Sequence, residues 1–306
     1  MPICNVLDDA AAIITTALAR TSLRPAVASF FDASTASVTH VLHDPMSRTA
    51  MIVDPVMDFD AASGRISRRS IDLVIDHVTT HHLSVEWIID THVHADHLSA
   101  ATVLRERLGG RIGIGRAVLD VQASLGRLFG MAPTAGKDFD RLFDEGNTFP
   151  LGGIACMALH VPGHTPADMA FVVGDTVLTG DTLFMPDFGT ARADFPGGDA
   201  AQLFRSSRRL LSLPADTRLL HCHDYPPAAR GEAAWVSTVA EQRAGNVHVR
   251  DGVAETDFVA MRMARDATLA TPTLMLASIQ VNMQAGRLPE PTADGRRYLQ
   301  LPIDAL

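Results

Sequence analysis

The sequence predicts an α/β protein of four layers, with two packed β-sheets covered on their outer faces by helices and a short helical extension at the C-terminal end. Three observations carry that prediction. Strand-like runs come in groups: AVASFFD, SVTHVLHD and TAMIVDP near the start, then GIACMALHV, AFVVGD, TVLTGD and RLLHCHD further on. Helical periodicity falls mainly between the groups, whereas a doubly wound parallel sheet alternates strand and helix throughout. The side chains able to bind metal gather where strand-like runs end, which brings them to one rim.

The elements follow in chain order. AAIITTALAR is mildly apolar but follows Asp8 and Asp9 with no basic stretch before it, so it reads as a short helix and not as a secretion signal. Residues 26–60 read as an antiparallel meander that turns at PMSR. Ile71, Val74, Ile75 and Val78 recur at helical spacing and predict a helix over 71–82. VEWIID is a short buried strand. In LSAATVLRERLGG, Leu98, Ala101, Leu104 and Leu108 share a face, and Gly109 and Gly110 end the helix. RIGIG reads as a strand and AVLDVQASLGRLFG as a helix. MAPTAGKDFDRLFDEG is polar and turn-rich, a surface excursion expected near the site mouth. Residues 199–213, 231–245 and 255–267 read as helices, and the tail from Thr271 as mostly irregular. The chain is expected to form one domain over 1–306, its core spanning about 26–245 and its extension about 246–306.

Composition narrows the function classes. The 306 residues are 47% hydrophobic, enough for a substantial core. A net charge of −9 and the lack of a long basic run argue against a nucleic-acid partner. No run approaches the ~20 apolar residues of a membrane span. Cys4, Cys156 and Cys222 form no CxxC pair, which argues against a disulfide scaffold and for a reducing compartment. A cytoplasmic protein acting on a small molecule is the expectation, and a homodimer is compatible with it.

The chemistry concentrates in THVHADH, which follows VEWIID. His92 and His94 alternate onto one side of an extended chain, and Asp96 and His97 are expected at the start of the next helix. His164 follows MALHVPG, Asp181 follows TVLTG, and His223 follows RLLHC. Imidazoles with carboxylates suit zinc or iron, and seven such groups can hold one or two ions. Taken singly, Asp181 also reads as a turn cap and His164 as a turn residue. His40, His43, His77, His81, His82, His160 and His248 lack such context and read as surface or core histidines. His221 reads as a core group or one that supports the ligands. Cys222 is expected to face away, into the sheet packing.

These motifs resemble the metallo-beta-lactamase superfamily. THVHADH matches its HxHxDH motif, VPGHTP its next histidine, LTGDTLF its aspartate and CHDY its last histidine, in family order over 91–225. The resemblance implies the αββα fold. ARADFPGG (191–198) and VNMQAG (281–286) are similar to segments of persulfide dioxygenases, and HDY stands where glyoxalase II enzymes carry HEY. DFGTARADFPGGD and VAEQRAGNVHVRDG resemble a bacterial beta-lactamase-like hydrolase subgroup linked to sulfide detoxification. That branch implies one Fe(II) per chain on His92, His164 and Asp181, which would be the catalytic set, with dioxygen and glutathione persulfide as reactants. His94, Asp96, His97 and His223 would then orient ligands and water. Arg192 and Tyr225 match positions near the substrate; for Arg192 a substrate-carboxylate contact and a loop-stabilising ion pair are both open. The excursion at 120–147, together with Ala191 and Ala193, departs from the branch pattern. The main alternative is a dinuclear Zn(II) hydrolase of thioester or lactone type. It would use His92, His94 and His164 for one ion, Asp96, His97 and His223 for the other, and Asp181 as the bridge. A metal- or sulfide-responsive binding protein is the third reading.

Overall fold

The computed structural model describes residues 6–132 and 134–304; Cys4, and Pro133 of the excursion, lie outside the described residues. The first sheet runs β1 (Ala26–Asp32), β2 (Ser37–His43), β3 (Thr49–Val53), β4 (Ser84–Ile89), β5 (Arg111–Gly115) and β6 (Arg141–Phe143), in that spatial order. Its first three strands pair antiparallel, and β3 to β6 pair in parallel. The second sheet is β7 (Thr148–Leu151), β8 (Ile154–His160), β9 (Met169–Val173), β10 (Thr176–Leu178), β11 (Arg218–Leu220) and β12 (Val236–Thr238). Only β10 and β11 are parallel there. The helices are α1 (Val6–Ala19), α2 (Arg69–Thr80), α3 (Ala101–Leu108), α4 (Val118–Leu128), α5 (Ala200–Leu210), α6 (Val239–Gly245), α7 (Glu255–Asp266) and α8 (Met275–Asn282).

Strand alternation sorts the apolar side chains into three buried layers. Leu42, Met51, Val53, Trp87 and Ile89 meet Phe149, Phe171 and Leu220 between the sheets. The intervening residues Val41, Ile52 and Ile88 face outward onto Val74 of α2, Leu104 of α3 and Ile279 of α8. On the other side Leu159, Val172 and Val177 face Ile14 of α1, Leu203 of α5 and Phe258 of α7. Each such side chain contributes roughly 1.5–3 kcal/mol on burial. The order is helices, sheet, sheet, helices, as the sequence predicts. The sheets also meet at their rim: Val38 N donates to Cys222 O at 2.7 Å, and Ser37 bridges to His223.

Several local expectations need correction. Leu98 and Ser99 pair with Val56 and Met57, and α3 begins only at Ala101, so Asp96 and His97 sit in an irregular loop and not at a helix start. Residues 231–245 are not one helix: β12 occupies 236–238, and α6 starts after Thr238, which forms a capping box with Glu241. The tail is not mostly irregular at its start, because α8 packs Met275 and Ile279 into the first core. The excursion holds edge strand β6 and leans on α8, with Gln122 Nε2 donating to Met283 O and Arg287 paired to Asp138. None of its described residues lines the cavity over the site.

Candidate metal centre

Four chain segments deliver the predicted groups to one buried point. The loop after β4 carries His92, His94, Asp96 and His97. The turn after β8 carries His164. The turn after β10 carries Asp181, and the exit of β11 carries His223. Because β10 and β11 are parallel, both end at the same rim. Gly163 lets His164 come in: it has φ +146°, and a Cβ there would lie 2.3 Å from Leu203 Cα. Ligand atoms of His92, His164 and Asp181 lie within 4.8 Å of one another, and so do those of His94, Asp96 and His223. Asp181 Oδ2 is 3.8 Å from His92 Nε2 and 3.3 Å from His164 Nε2. Asp181 Oδ1 is 3.6 Å from His223 Nε2, which also lies 3.2 Å from Asp96 Oδ2.

Each of the five imidazoles has its outer nitrogen engaged. His92 Nδ1 meets Thr91 Oγ1 at 3.0 Å, and that hydroxyl donates to Asp54 Oδ2. His94 Nε2 donates to Asp54 Oδ1 at 2.9 Å. His97 Nδ1 donates to Leu98 O, His164 Nδ1 to Arg192 O and His223 Nδ1 to Ala36 O. Outer contacts of this kind fix the tautomer and turn a lone pair inward. The inward nitrogens of His92 (Nε2), His94 (Nδ1) and His97 (Nε2) are buried without a partner among the described residues. Unpartnered buried polar atoms are costly, and bound divalent cations would satisfy them. The residues present therefore fit a metal.

The electrostatics of His92 and His97 agree. Burial, then the neighbouring imidazoles, hold His92 well below the usual histidine range. Burial and His94 push His97 down to about 4. Burial opposes ionisation of Asp96, but the His223, His97 and His94 charges hold it below the usual carboxylate range. Burial also opposes charge on His94, and the Asp54 carboxylate outweighs it, raising that imidazole to about 10.

Residues 47–223 match the family model described as the metallo-beta-lactamase superfamily. The chain belongs to that superfamily. It is 51% identical to a probable metallo-hydrolase of Burkholderia pseudomallei, with 92% of this chain and 99% of that protein aligned. It is 47% identical to a beta-lactamase hydrolase-like protein of Xylella fastidiosa, covering 92% of this chain but 65% of the relative's length. Similarity to the human mitochondrial persulfide dioxygenase is 27% over 86% of this chain and 89% of that protein. Among solved structures, ETHE1 from Myxococcus xanthus matches with a TM-score of 0.69 and 26% identity, over 86% of this chain and all of the other. The chain is thus a metallo-beta-lactamase-fold protein related to persulfide dioxygenases, in a superfamily of metal-dependent enzymes that bind divalent ions.

In this superfamily member the centre opens into a cavity of about 380 Å³. Phe184, Phe188, Phe195 and Tyr225 supply aromatic walls, and α7 closes one side with Arg262 and Arg265. Tyr225 stacks on His223, ring centroids 5.7 Å apart. Arg192 lines the cavity, with three of its five N–H groups engaged within the chain. Nε and Nη2 bind Asp194 at 2.5 and 2.7 Å, and Nη1 binds Ala270 O at 2.7 Å. Its ion-pair role is therefore the one realised, while its carbonyl orients His164. Arg262 is likewise paired to Asp266, whose other oxygen accepts Ala193 N. Arg265 stands over Phe188 and makes no ion pair among the described residues.

Three contributors escaped the sequence reading. Asp54 braces both His92 and His94; its signal was a carboxylate at a strand exit, in VDP. Asn282 donates from Nδ2 to His94 O and His97 O and accepts Ser99 N, so it clamps the whole HxHxDH loop. Cys222 does not face the sheet packing: its Sγ lies 2.6 Å from Asp181 Oδ1. β11 ends at Leu220, so the alternation that predicted its direction has already lapsed.

Proposed function

We propose that the chain is a non-haem iron persulfide dioxygenase that converts glutathione persulfide, or a related low-molecular-weight persulfide, to sulfite and the thiol. The observation that carries this reading is the closure of His92, His164 and Asp181 into a two-histidine, one-carboxylate set beside an aromatic cavity. In the net reaction the persulfide, dioxygen and one water give the thiol, sulfite and two protons; the terminal sulfur loses the four electrons that dioxygen gains. His92, His164 and Asp181 would hold the iron, which supplies the electron transfer that lets a persulfide react with dioxygen.

The other residues bind, orient and move protons. Phe184, Phe188 and Phe195 exclude water from the sulfur end of the substrate. Asp96 and His223, 3.2 Å apart and within the cavity lining, stand ready to take the released protons. Arg265, uncommitted at the rim, would meet a carboxylate of the thiol carrier. Oxygen uptake by iron-loaded protein given glutathione persulfide, with sulfite appearing, tests the proposal. No uptake under those conditions refutes it.

One observation favours a second reading. His97 Nε2 and His94 Nδ1 are both unpartnered; His97 with Asp96 and His223 would complete a second metal position, and His94 would join His92 and His164 at the first. A dinuclear zinc hydrolase acting on a thioester or lactone would use them, its two ions presenting a hydroxide to the carbonyl. Two zinc ions per chain together with thioester cleavage would select that reading.

A further inference from the structure

His92 and His164 share a construction behind the metal point. His92 Nδ1 donates to Thr91 Oγ1, and that hydroxyl donates to Asp54 Oδ2, so the imidazole ends on a buried carboxylate one group removed. His164 Nδ1 donates to Arg192 O at 2.8 Å. The same peptide unit carries the amide of Ala193, which donates to Asp266 Oδ2 at 2.8 Å. His164 therefore also ends on a buried carboxylate, with a peptide bond in place of the hydroxyl. His97 offers the contrast. Its acceptor is Leu98 O, and the amide of that peptide, Ser99 N, donates to the neutral side chain of Asn282.

The carboxylate behind His164 is itself firmly held. Asp266 and Arg262 are both buried, and Asp266 Oδ1 accepts Arg262 Nε at 2.8 Å and Nη2 at 2.5 Å. Both carboxylate oxygens thus accept, which an amide side chain in the same place could not do while Arg262 is present. The segment has little room to move: a Cβ on Gly198 would lie 2.4 Å from Ala193 O and 2.9 Å from His164 O. A carboxylate behind the amide makes a charge-assisted hydrogen bond, and it polarises the peptide so that the carbonyl accepts more strongly. A stronger acceptor on Nδ1 fixes the His164 tautomer and leaves the Nε2 lone pair for a cation.

We propose that Asp266 is a positioning residue for the metal ligand His164: through the peptide between Arg192 and Ala193 it holds the carbonyl that orients this imidazole and turns Nε2 toward the bound ion. This rests on the reading of the site as a metal centre and on neither choice of reaction. It gives the buried Arg262–Asp266 pair a task at the centre, so that α7 bears on the metal through the backbone as well as by closing the cavity.

The test is metal affinity, read apart from activity. Removing Asp266 alone would leave Arg262 buried without its partner, so the two are replaced together. The double variant Arg262→Met/Asp266→Asn keeps an oxygen for Ala193 N. The double variant Arg262→Met/Asp266→Leu has nearly the same shape and no acceptor. Phe258→Leu is the control for a loosened α7, since Phe258 is buried against Phe204 of α5 and its side chain makes none of these hydrogen bonds. Urea unfolding checks that each metal-free protein is folded, and Zn²⁺ affinity is measured by chelator competition. Arg262→Met/Asp266→Leu should bind Zn²⁺ about 10-fold more weakly than wild type, whereas Arg262→Met/Asp266→Asn and Phe258→Leu should stay within about threefold of it. Equal affinities in the two double variants overturn the proposal, because the acceptor then does nothing for the metal. A loss in Phe258→Leu as large as that in Arg262→Met/Asp266→Leu overturns it by making the effect one of helix packing. A wild-type protein that binds no Zn²⁺ overturns the metal-centre reading itself, whereas persulfide inactivity with the expected affinities removes only the dioxygenase.

Discussion

Replacing Asn282 by alanine tests how the metal loop is held. The side chain is buried and makes three hydrogen bonds. Nδ2 donates to His94 O and His97 O at 2.8 Å each, and Oδ1 accepts Ser99 N at 2.7 Å. Alanine leaves two carbonyls and one amide without these partners in a buried loop. A buried group left unpartnered costs about 1–3 kcal/mol, and partial access of water lowers the sum, so a loss of roughly 3 kcal/mol is expected for the three together. Urea unfolding of the metal-free protein reads that loss. The same loop carries His92, His94, Asp96 and His97, so its loosening should also weaken metal binding by about 10–100-fold, measured by chelator competition. Gln280→Ala is the internal control. It lies on α8 as well, but its amide donates to Leu276 O and Gln300 O, away from the loop. It should leave metal affinity within about threefold of wild type, the scatter of a substitution that touches no support of the ligands. If Asn282→Ala lost less than about 1 kcal/mol and kept wild-type metal affinity, the clamp would be wrong and the loop would be held by its ligands alone.

Other expectations follow from the same geometry. His164→Ala should sharply cut metal content by elemental analysis, since Nε2 is one of three donors closing on one point; full retention removes this residue from the site. Arg265→Ala should raise KM for an acidic persulfide by about 10-fold with kcat little changed, the signature of lost binding far from the reacting sulfur; an unchanged KM excludes the carboxylate contact. His40 is buried and neutral, and burial pushes it down to about 4. Its folded pKa lies below the unfolded value, so its contribution to stability is present above about pH 6.5 and is lost as pH falls toward 4, by up to about 3 kcal/mol. His40→Gln should therefore flatten the stability profile between pH 7 and pH 5 in urea titrations, and an unaltered slope would assign that acid sensitivity elsewhere.

The layered fold and the gathering of seven side chains able to bind metal were legible because they depend on local pattern and on strand ends. Alternation in β3 and β4 fixes which side chains enter the space between the sheets, and the pattern survives in the sequence because those strands are regular. The donors declared themselves as polar residues following apolar strands. What stayed hidden depends on regularity ending or on distant approach. Thr238 separates strand from helix within 231–245, but three residues of β12 are too few to show a period. Cys222 follows β11 by two residues, and there the chain has left the pleat, so side-chain direction answers to the turn and to Val38 N. Asn282 lies 183 residues from Ser99, and no spacing rule links them. The same distinction bears on function. Donor identity is readable and permits one ion or two, whereas the contact of Cys222 Sγ with Asp181 Oδ1 forms only when the ends of β10 and β11 meet.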